Sequence, residues 1–542
     1  NGNNNVFLMG NPSKTFFKVT YAKHSNFGLQ KFRIDYDGLR DLRLTEPSTY
    51  TFKIPRYADL LMDTYIVLTL PDIWSPVYHP AAETSNRWVP YDFRWINNIG
   101  TQIIKEVVIT CGSLTLQKYS GDYLAGMVER DFSAEKKDLF HKMSGNTTEL
   151  NDPAYAHGRA NSYPSAAYTA NVIGAEPSIR GRNLYIPINT WFTLNNGCAF
   201  PLVSLQYNEL VVSVTLRPIR DLFQIRDVFD AENGYPYIQP DFNESRFQMY
   251  RFLQTPPSAY ITAEKYENKF STWNADIHLL STYCFLSKEE TEVFAAQDQV
   301  YLVKDVFEHK FENITGSKRV KLESNGMIAN WMWFLQRNDV NMRNEWSNYT
   351  NWPYNKLPAN IQLAPIEPLA GTTGVLKYGI GAHNDDSETN TGITITGDYR
   401  TENNREILQT MGVLLNGEYR ENVMTRGVYD YIEKYTRTAG SAKEGLYCYN
   451  FCLNTSPYEY QPSGAINLSK FKTIELEVNT YTPTIDTVNS QVDILCSEDG
   501  ELVGVRKSNW RLYDYNYNLV LYEERYNVLS FVGGNCGMLY SR

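Results

Sequence analysis

A polarity alternation of period two, recurring along the whole chain, restricts the fold more than any other feature. Phe32, Ile34 and Tyr36 alternate with Lys31, Arg33 and Asp35, and Tyr50, Phe52 and Ile54 with Thr51 and Lys53. Val320 and Leu322 flank Lys321, and Ile474, Leu476 and Val478 enclose Glu475 and Glu477. Tyr513, Tyr515, Tyr517, Leu519 and Leu521 alternate with Asp514, Asn516 and Asn518 in the same way. Successive side chains of an extended chain point to opposite sides, so each run has one face for a core and one for water or a partner. That is the habit of antiparallel sandwiches. Val107–Thr110 and Leu210–Leu216 are more continuously apolar and read as central strands. Turn signals such as Asp37-Gly38, Cys111-Gly112, Asn325-Gly326 and Asp499-Gly500 punctuate them. Helices are few: Ser133 caps a candidate over Ala134–Met143 closed by Gly145, Ser287 and Glu290 box Lys288–Gln297, and Glu406–Leu415 is a third.

In 542 residues this density of strands fits two large tandem β sandwiches. The Pro-bearing stretch from about Arg220 to Pro257 reads as a connector, and no repeat by residue identity relates the halves. Long polar loops are expected over Asp72–Tyr91, Gly145–Arg182, Arg337–Pro358 and Asn384–Asn404, as functional surface. The longest apolar runs, Met327–Leu335 and Tyr65–Leu70, are strand-sized, and no segment reads as a signal or transit peptide. The sequence opens at Asn1 without an initiator Met, so native residues preceding it are an open expectation.

A net charge of −10 argues against a coat for nucleic acid or anionic membrane. Basic residues near the start (Lys14, Lys18, Lys23, His24, Lys31, Arg33) are diluted by aromatics and read as a solvated strand face. Seven scattered cysteines are no disulfide framework; they read as buried thiols of a chain folded in a reducing compartment, Cys448 and Cys452 sharing one strand face. The seven histidines are isolated, so no zinc signature exists. Gly10–Thr15 lacks the second glycine of a phosphate loop and precedes a strand-like Phe16–Tyr21, and Gly379-Ile380-Gly381 lacks the third glycine of a dinucleotide fingerprint. No carboxylate pair can be chosen for glycoside hydrolysis; Glu475 and Glu477 look solvated. No catalytic, cofactor-binding or metal-binding residue is assigned, and no cofactor is expected. Trp331 and Trp333 share a strand face with Ala329 and Leu335, a core arrangement first and a carbohydrate or partner platform second. Six Asn-X-Ser/Thr sequons, at Asn146, Asn243, Asn313, Asn348, Asn454 and Asn467, are candidate glycan sites.

Four ordered stretches carry a family resemblance: Gly10–Val19 with Tyr21 and His24–Phe27; Val320–Trp346, with Arg337-Asn338-Asp339 and Trp346; Tyr447–Ser469, with Gln461-Pro462-Ser463-Gly464; and Tyr515–Ser541, with Asn516-Tyr517-Asn518 and Gly533-Gly534. Together they resemble the major capsid proteins of nucleo-cytoplasmic large DNA viruses. Gly427–Arg437 echoes that family only loosely, and Arg337–Asn404 is longer than in compact members. The resemblance implies an all-β double jelly roll of two eight-stranded sandwiches without enzymatic activity. The expected division is an arm (1–15), a first jelly roll (16–220), a connector (221–257), a second jelly roll (258–525) and a C-terminal segment (526–542). It further implies homotrimers of pseudo-hexagonal outline tiling an icosahedral shell assembled in the host cytoplasm. Implied partners are the chain itself, neighbouring capsomers, and minor capsid and penton proteins, with an internal membrane nearby but not spanned and no direct nucleic acid. The rival readings are a carbohydrate-binding or carbohydrate-active β sandwich and a related assembly scaffold.

Overall fold

A computed structural model describes all residues except 1–2, 39, 79–88, 167–175, 258–264, 359–360, 362–400, 484, 486–492, 507 and 542. Eight strands build a first sandwich: β1 (Phe27–Ile34), β2 (Ser48–Lys53), β3 (Leu60–Leu70), β4 (Ile104–Cys111), β5 (Leu114–Tyr119), β6 (Arg182–Pro187), β7 (Leu210–Leu216) and β8 (His278–Leu286). One sheet runs β1-β8-β3, with β6 and a short Phe200–Pro201 strand on the far side of β3; the other runs β2-β7-β4-β5. The second sandwich follows as β9 (Gln299–Phe311), β10 (Ser317–Lys321), β11 (Met327–Arg337), β12 (Leu408–Leu415), β13 (Glu418–Thr425), β14 (Leu446–Asn450), β15 (Ile474–Thr480) and β16 (Tyr517–Val532). Its sheets run β9-β16-β11-β14 and β10-β15-β12-β13, the same order counted from its first strand. Both units are therefore eight-stranded jelly rolls, and the repeat without residue identity is topological.

The alternating runs bury the expected faces. Tyr50, Phe52 and Ile54 are core, as are Ile474, Leu476 and Val478 and, on β16, Tyr517, Leu519 and Leu521. Strand β11 has no alternation because both of its faces are covered: Trp331 and Trp333 belong to the second core, while Met332 and Phe334 join the cluster continuous with the first roll. That explains its unbroken apolar stretch.

Registers place the long connections at one end. Leu70 pairs with Arg182, Val67 with His278, Phe311 with Leu519 and Arg337 with Tyr517, so the chain leaves the strands at Leu70, Tyr119, Leu216, Arg337 and Thr480 from the same end. The opposite end carries tighter links such as the turn between Cys111 and Leu114.

Three expectations need correction. Glu406–Leu415 is strand β12, not helix; it is hydrogen-bonded between β13 and β15, and burial on both faces imitates a helical apolar spacing. Phe16–Tyr21 forms no strand: it is exposed and irregular, following a short helix over Asn3–Met9. The Pro-bearing stretch is not the junction between units. It is a loop of the first roll that buries Phe247, Met249 and Phe252 in the first core, and β8, beyond it, closes that roll by pairing with β1 and β3. The junction is helical, Lys288–Ala296, with the Ser287 hydroxyl accepting from Glu290 N at 3.4 Å. The expected boundary at 525/526 likewise cuts through continuous β16.

Two helices follow β5: α1 (Gly121–Asp131) and α2 (Ala134–Ser144). The latter is the expected Ser133-capped helix, closed by Gly145 at φ 81°, where an added Cβ would lie 2.7 Å from Leu184 Cδ2. Gly145→Ala is expected to lower stability by about 1–2 kcal/mol, read from chemical denaturation.

Candidate functional site

The first site is a seam between the rolls, built by α1. Ser120 caps the helix by accepting from Tyr123 N and shares a hydrogen bond of 2.9 Å with the Tyr522 hydroxyl of β16. Gly121 is required because a Cβ there would sit 1.8 Å from Thr101 O, and at Gly126 it would meet Met332 Cε at 2.8 Å. This close approach brings Arg130, 1% exposed, onto the second roll. Its guanidinium donates to Glu524 Oε1 at 2.7 Å, to Asn330 Oδ1 at 3.0 Å and to Asp131 Oδ2 at 2.7 Å. Tyr123 Oη donates to Glu524 Oε1 at 2.9 Å, Asn330 Nδ2 to Glu524 Oε2 at 2.8 Å, and Thr455 Oγ1 to Asp131 Oδ1 at 2.5 Å. Burial pushes the Glu524 carboxyl up, but Arg130, Lys304 and its donors outweigh that and hold it down at about 2. One guanidinium thus serves two buried carboxylates and ties α1 to β11, β14's following turn and β16.

The second site is the segment after β11, expected as surface and found mostly buried. Arg337 donates to Asp339 at 2.8 and 2.6 Å, and Arg343 to Asp339 at 3.0 Å. The same arginines reach Asn351 O at 2.9 Å, Pro353 O at 2.7 Å and Trp510 O at 2.5 Å, while Leu512 N donates to Asp339 Oδ2 at 2.9 Å. Burial raises the Asp339 carboxyl, but the flanking guanidinium groups take it far below the usual carboxylate range. Past this knot the chain docks on the first roll: Asn344 Nδ2 donates to Phe223 O at 2.8 Å, Gln224 Nε2 to Glu345 Oε1 at 2.7 Å and Trp346 Nε1 to Asp221 O at 2.9 Å. The Arg-Asn-Asp and Trp motif is therefore an internal clamp, and its polar residues find in the protein the partners that a solvated loop would find in water.

Other nominated residues stay dispersed. Trp331 and Trp333 are fully buried and Trp331 Nε1 donates to Glu523, which removes the platform reading. Asn348 is buried with its carboxamide accepting from Thr350 N and donating to Trp352 O, so it has no room for a glycan. Asn146, Asn454 and Asn467 are half-buried with side chains engaged by Asn98, Glu459 and Ser469, whereas Asn243 and Asn313 are exposed. Of the thiols, Cys496 is exposed and Cys536 half-buried, contrary to a uniformly buried set. His79, His383 and Gly379–Gly381 lie outside the described residues. Glu477 pairs with Arg319 at 3.1 Å on an outer face. Among the described residues no group of His, Cys, Asp or Glu is placed to hold a metal ion. Arg130 escaped sequence reasoning because only its position on a helix with many buried residues hints at it.

Two tandem jelly rolls with one strand order, joined along a buried polar seam, define a double jelly-roll protein. Residues 15–254 match the family described as "Major capsid protein N-terminus", and residues 290–537 that described as "Large eukaryotic DNA virus major capsid protein". The major capsid protein of Phaeocystis pouchetii virus is 23% identical over 582 aligned positions, covering 100% of this chain and 98% of that one. Among solved structures, PBCV-1 VP54, fitted into a reconstruction of the virophage Sputnik, aligns with TM-score 0.60 and 18% identity over 97% of this chain and 100% of that one. The Faustovirus major capsid protein aligns with TM-score 0.59 and 14% identity over 95% and 92%. The chain belongs to the major capsid protein family of large DNA viruses. It is a structural subunit of the virion capsid, not an enzyme.

Proposed function

We propose that three copies associate into a pseudo-hexagonal capsomer and that such capsomers tile an icosahedral shell. The observation that carries this reading is the shared strand order of the two rolls, held side by side by the seam, so that three chains present six like units. In this reading the long-loop end faces outward and the short-loop end inward. Unpaired surface suited to subunit contact is at hand. The edge strand β13 exposes Tyr419 and Val423, and the helical segment after it exposes Tyr431, Ile432 and Tyr435. Part of the 40 tyrosines thus serves the cores and the seam, and part awaits partners. Assembly in the host cytoplasm, contact with minor capsid and penton proteins, and an internal membrane between shell and genome belong to the same reading. The net charge of −10 accords with a shell that does not touch the genome.

The units of this capsomer are an arm through about residue 26, a first roll ending with β8, a helical junction and a second roll ending with β16. A permanent interface of this kind buries more than about 2,000 Å². Light scattering on the purified protein at micromolar concentration is expected to give three times the 62.4 kDa chain mass. A stable monomer would overturn the trimer.

A further inference from the structure

Cys111 ends β4 in the first roll, and Cys536 stands in β17 (Asn535–Met538), the strand that follows the second roll and pairs with its last strand, β16. Remote in sequence, they are brought together by residues 206–208. Gln206 N donates to Gly534 O at 3.0 Å. Asn208 Nδ2 donates to Asn535 Oδ1 at 3.4 Å, and Asn208 Oδ1 lies 2.8 Å from where a Cβ on Gly112 would be. Gly112 and Asn535 are the chain neighbours of the two cysteines, and the two thiols lie near enough for each to shift the other. Cys111 is buried and Cys536 is partly open to solvent, packed on the same core. Arg56 joins the group by donating to Asn208 O at 2.9 Å.

This is the setting of a reactive thiol pair rather than of two inert ones. The neighbouring Cys536 thiol, aided by the Arg56 charge and opposed by burial, holds the Cys111 thiol below its ordinary value. The Cys111 thiol and burial push the Cys536 thiol up. The contrast within the chain is Cys448, which burial pushes up to about 12.

We propose that Cys111 and Cys536 close to a disulfide when the protein meets a low-molecular-weight disulfide such as oxidised glutathione, welding the last hairpin of the second roll to the first. Cys536, the accessible sulfur, gives its proton to solvent and, as the thiolate, is the first nucleophile. It attacks the oxidant and releases one glutathione. The Cys111 sulfur, losing its proton, then displaces the second glutathione from the mixed disulfide. The cysteines together lose two protons and two electrons, and the oxidant is reduced to two thiols. Folding among reduced thiols and later exposure to an oxidising medium would set the order of events. The assignment rests on the thiol geometry and holds whatever the chain assembles into.

The test uses the full chain, incubated with oxidised glutathione, alkylated and digested without reduction for peptide mass mapping. One cross-linked species joining the Cys111 and Cys536 peptides is expected, two hydrogen masses lighter than their sum. Exposed Cys496 should take up glutathione without cross-linking. The unfolding temperature should rise by a few degrees, as expected for a link across a long loop, and fall back on reduction. Cys536→Ser, a small change at a partly exposed position, should lose both the cross-link and the temperature gain. Recovery of the Cys111 and Cys536 peptides unlinked after oxidation overturns the proposal.

Discussion

Arg130→Met is expected to lower the free energy of unfolding by about 3–5 kcal/mol, because it leaves buried carboxylates without their cation. Glu524 and Asp131 are 2% and 3% exposed, and water cannot replace the guanidinium there. The loss falls on the contact between rolls, so calorimetry should separate unfolding transitions that are coupled in the parent. A second variant distinguishes pairing from simple packing. If Glu524→Gln is added, much of the loss should be recovered, since the unpaired charge is gone; additive losses would mean that the two groups are not coupled.

The pH dependence gives an independent reading. In the parent, the Glu524 carboxyl lies at about 2 against an ordinary 4.5. Its folded-state value is depressed, so its contribution, about 3 kcal/mol, is present above pH 4.5 and fades as pH falls towards 2. Without Arg130, burial dominates and raises the carboxyl above its ordinary value. That group then costs stability at neutral pH and regains it on protonation. The gap between parent and variant should therefore narrow as pH falls from 7 to 4. A constant gap in denaturation series across this range would contradict the assigned pairing.

Asp339→Asn is expected to be comparably severe, about 3–5 kcal/mol, by the opposite imbalance. Asp339 is the shared acceptor of Arg337 and Arg343, which are 4% and 0% exposed, and the amide leaves two buried cations side by side with no anion. Because Leu512 N and Trp510 O are tied into the same knot, the change should free the chain around 508–516 together with 338–358. Limited proteolysis should show new cleavage in both stretches at once, alongside a lower denaturation midpoint. Cleavage in neither stretch would mean that the knot does not anchor them. The Asp339 carboxyl lies far below its ordinary value of 3.8, so this contribution is intact at all pH above about 4 and is lost only in stronger acid.

Where one sheet face is buried and the other solvated, the polarity pattern reads directly as structure. The runs Tyr50–Ile54 and Ile474–Val478 have one face of that kind, and their inward residues are those the alternation marks. Where both faces are buried the pattern vanishes. Residues 411–415 of β12 are buried without a break, and Leu408, Met411, Leu414 and Leu415 fall at spacings that also suit a helix. Prolines misled for a related reason: Pro236, Pro240 and Pro256 mark a loop, but a loop within a jelly roll and a linker between rolls share the same local chemistry. What distinguishes them is whether the next strand returns to the same sheet, as β8 does between β1 and β3. The clamp residues were partly visible as a motif, since Arg337, Asp339 and Trp346 stand in a recognisable stretch, yet their burial was not.

Strand period, turn residues and motifs are enough to mark a chain of antiparallel sheets in two large units and to point to its family. Side-chain period and turn chemistry are local, and a few neighbouring residues suffice to express them. Which polar groups become partners is set by the packing of the whole chain. Arg130 meets Glu524 across a separation of 394 residues, and Cys111 meets Cys536 across the junction of the rolls. A buried charge or thiol is governed by whatever packing brings within about 3–4 Å of it, and that neighbour is chosen by the fold of the whole chain.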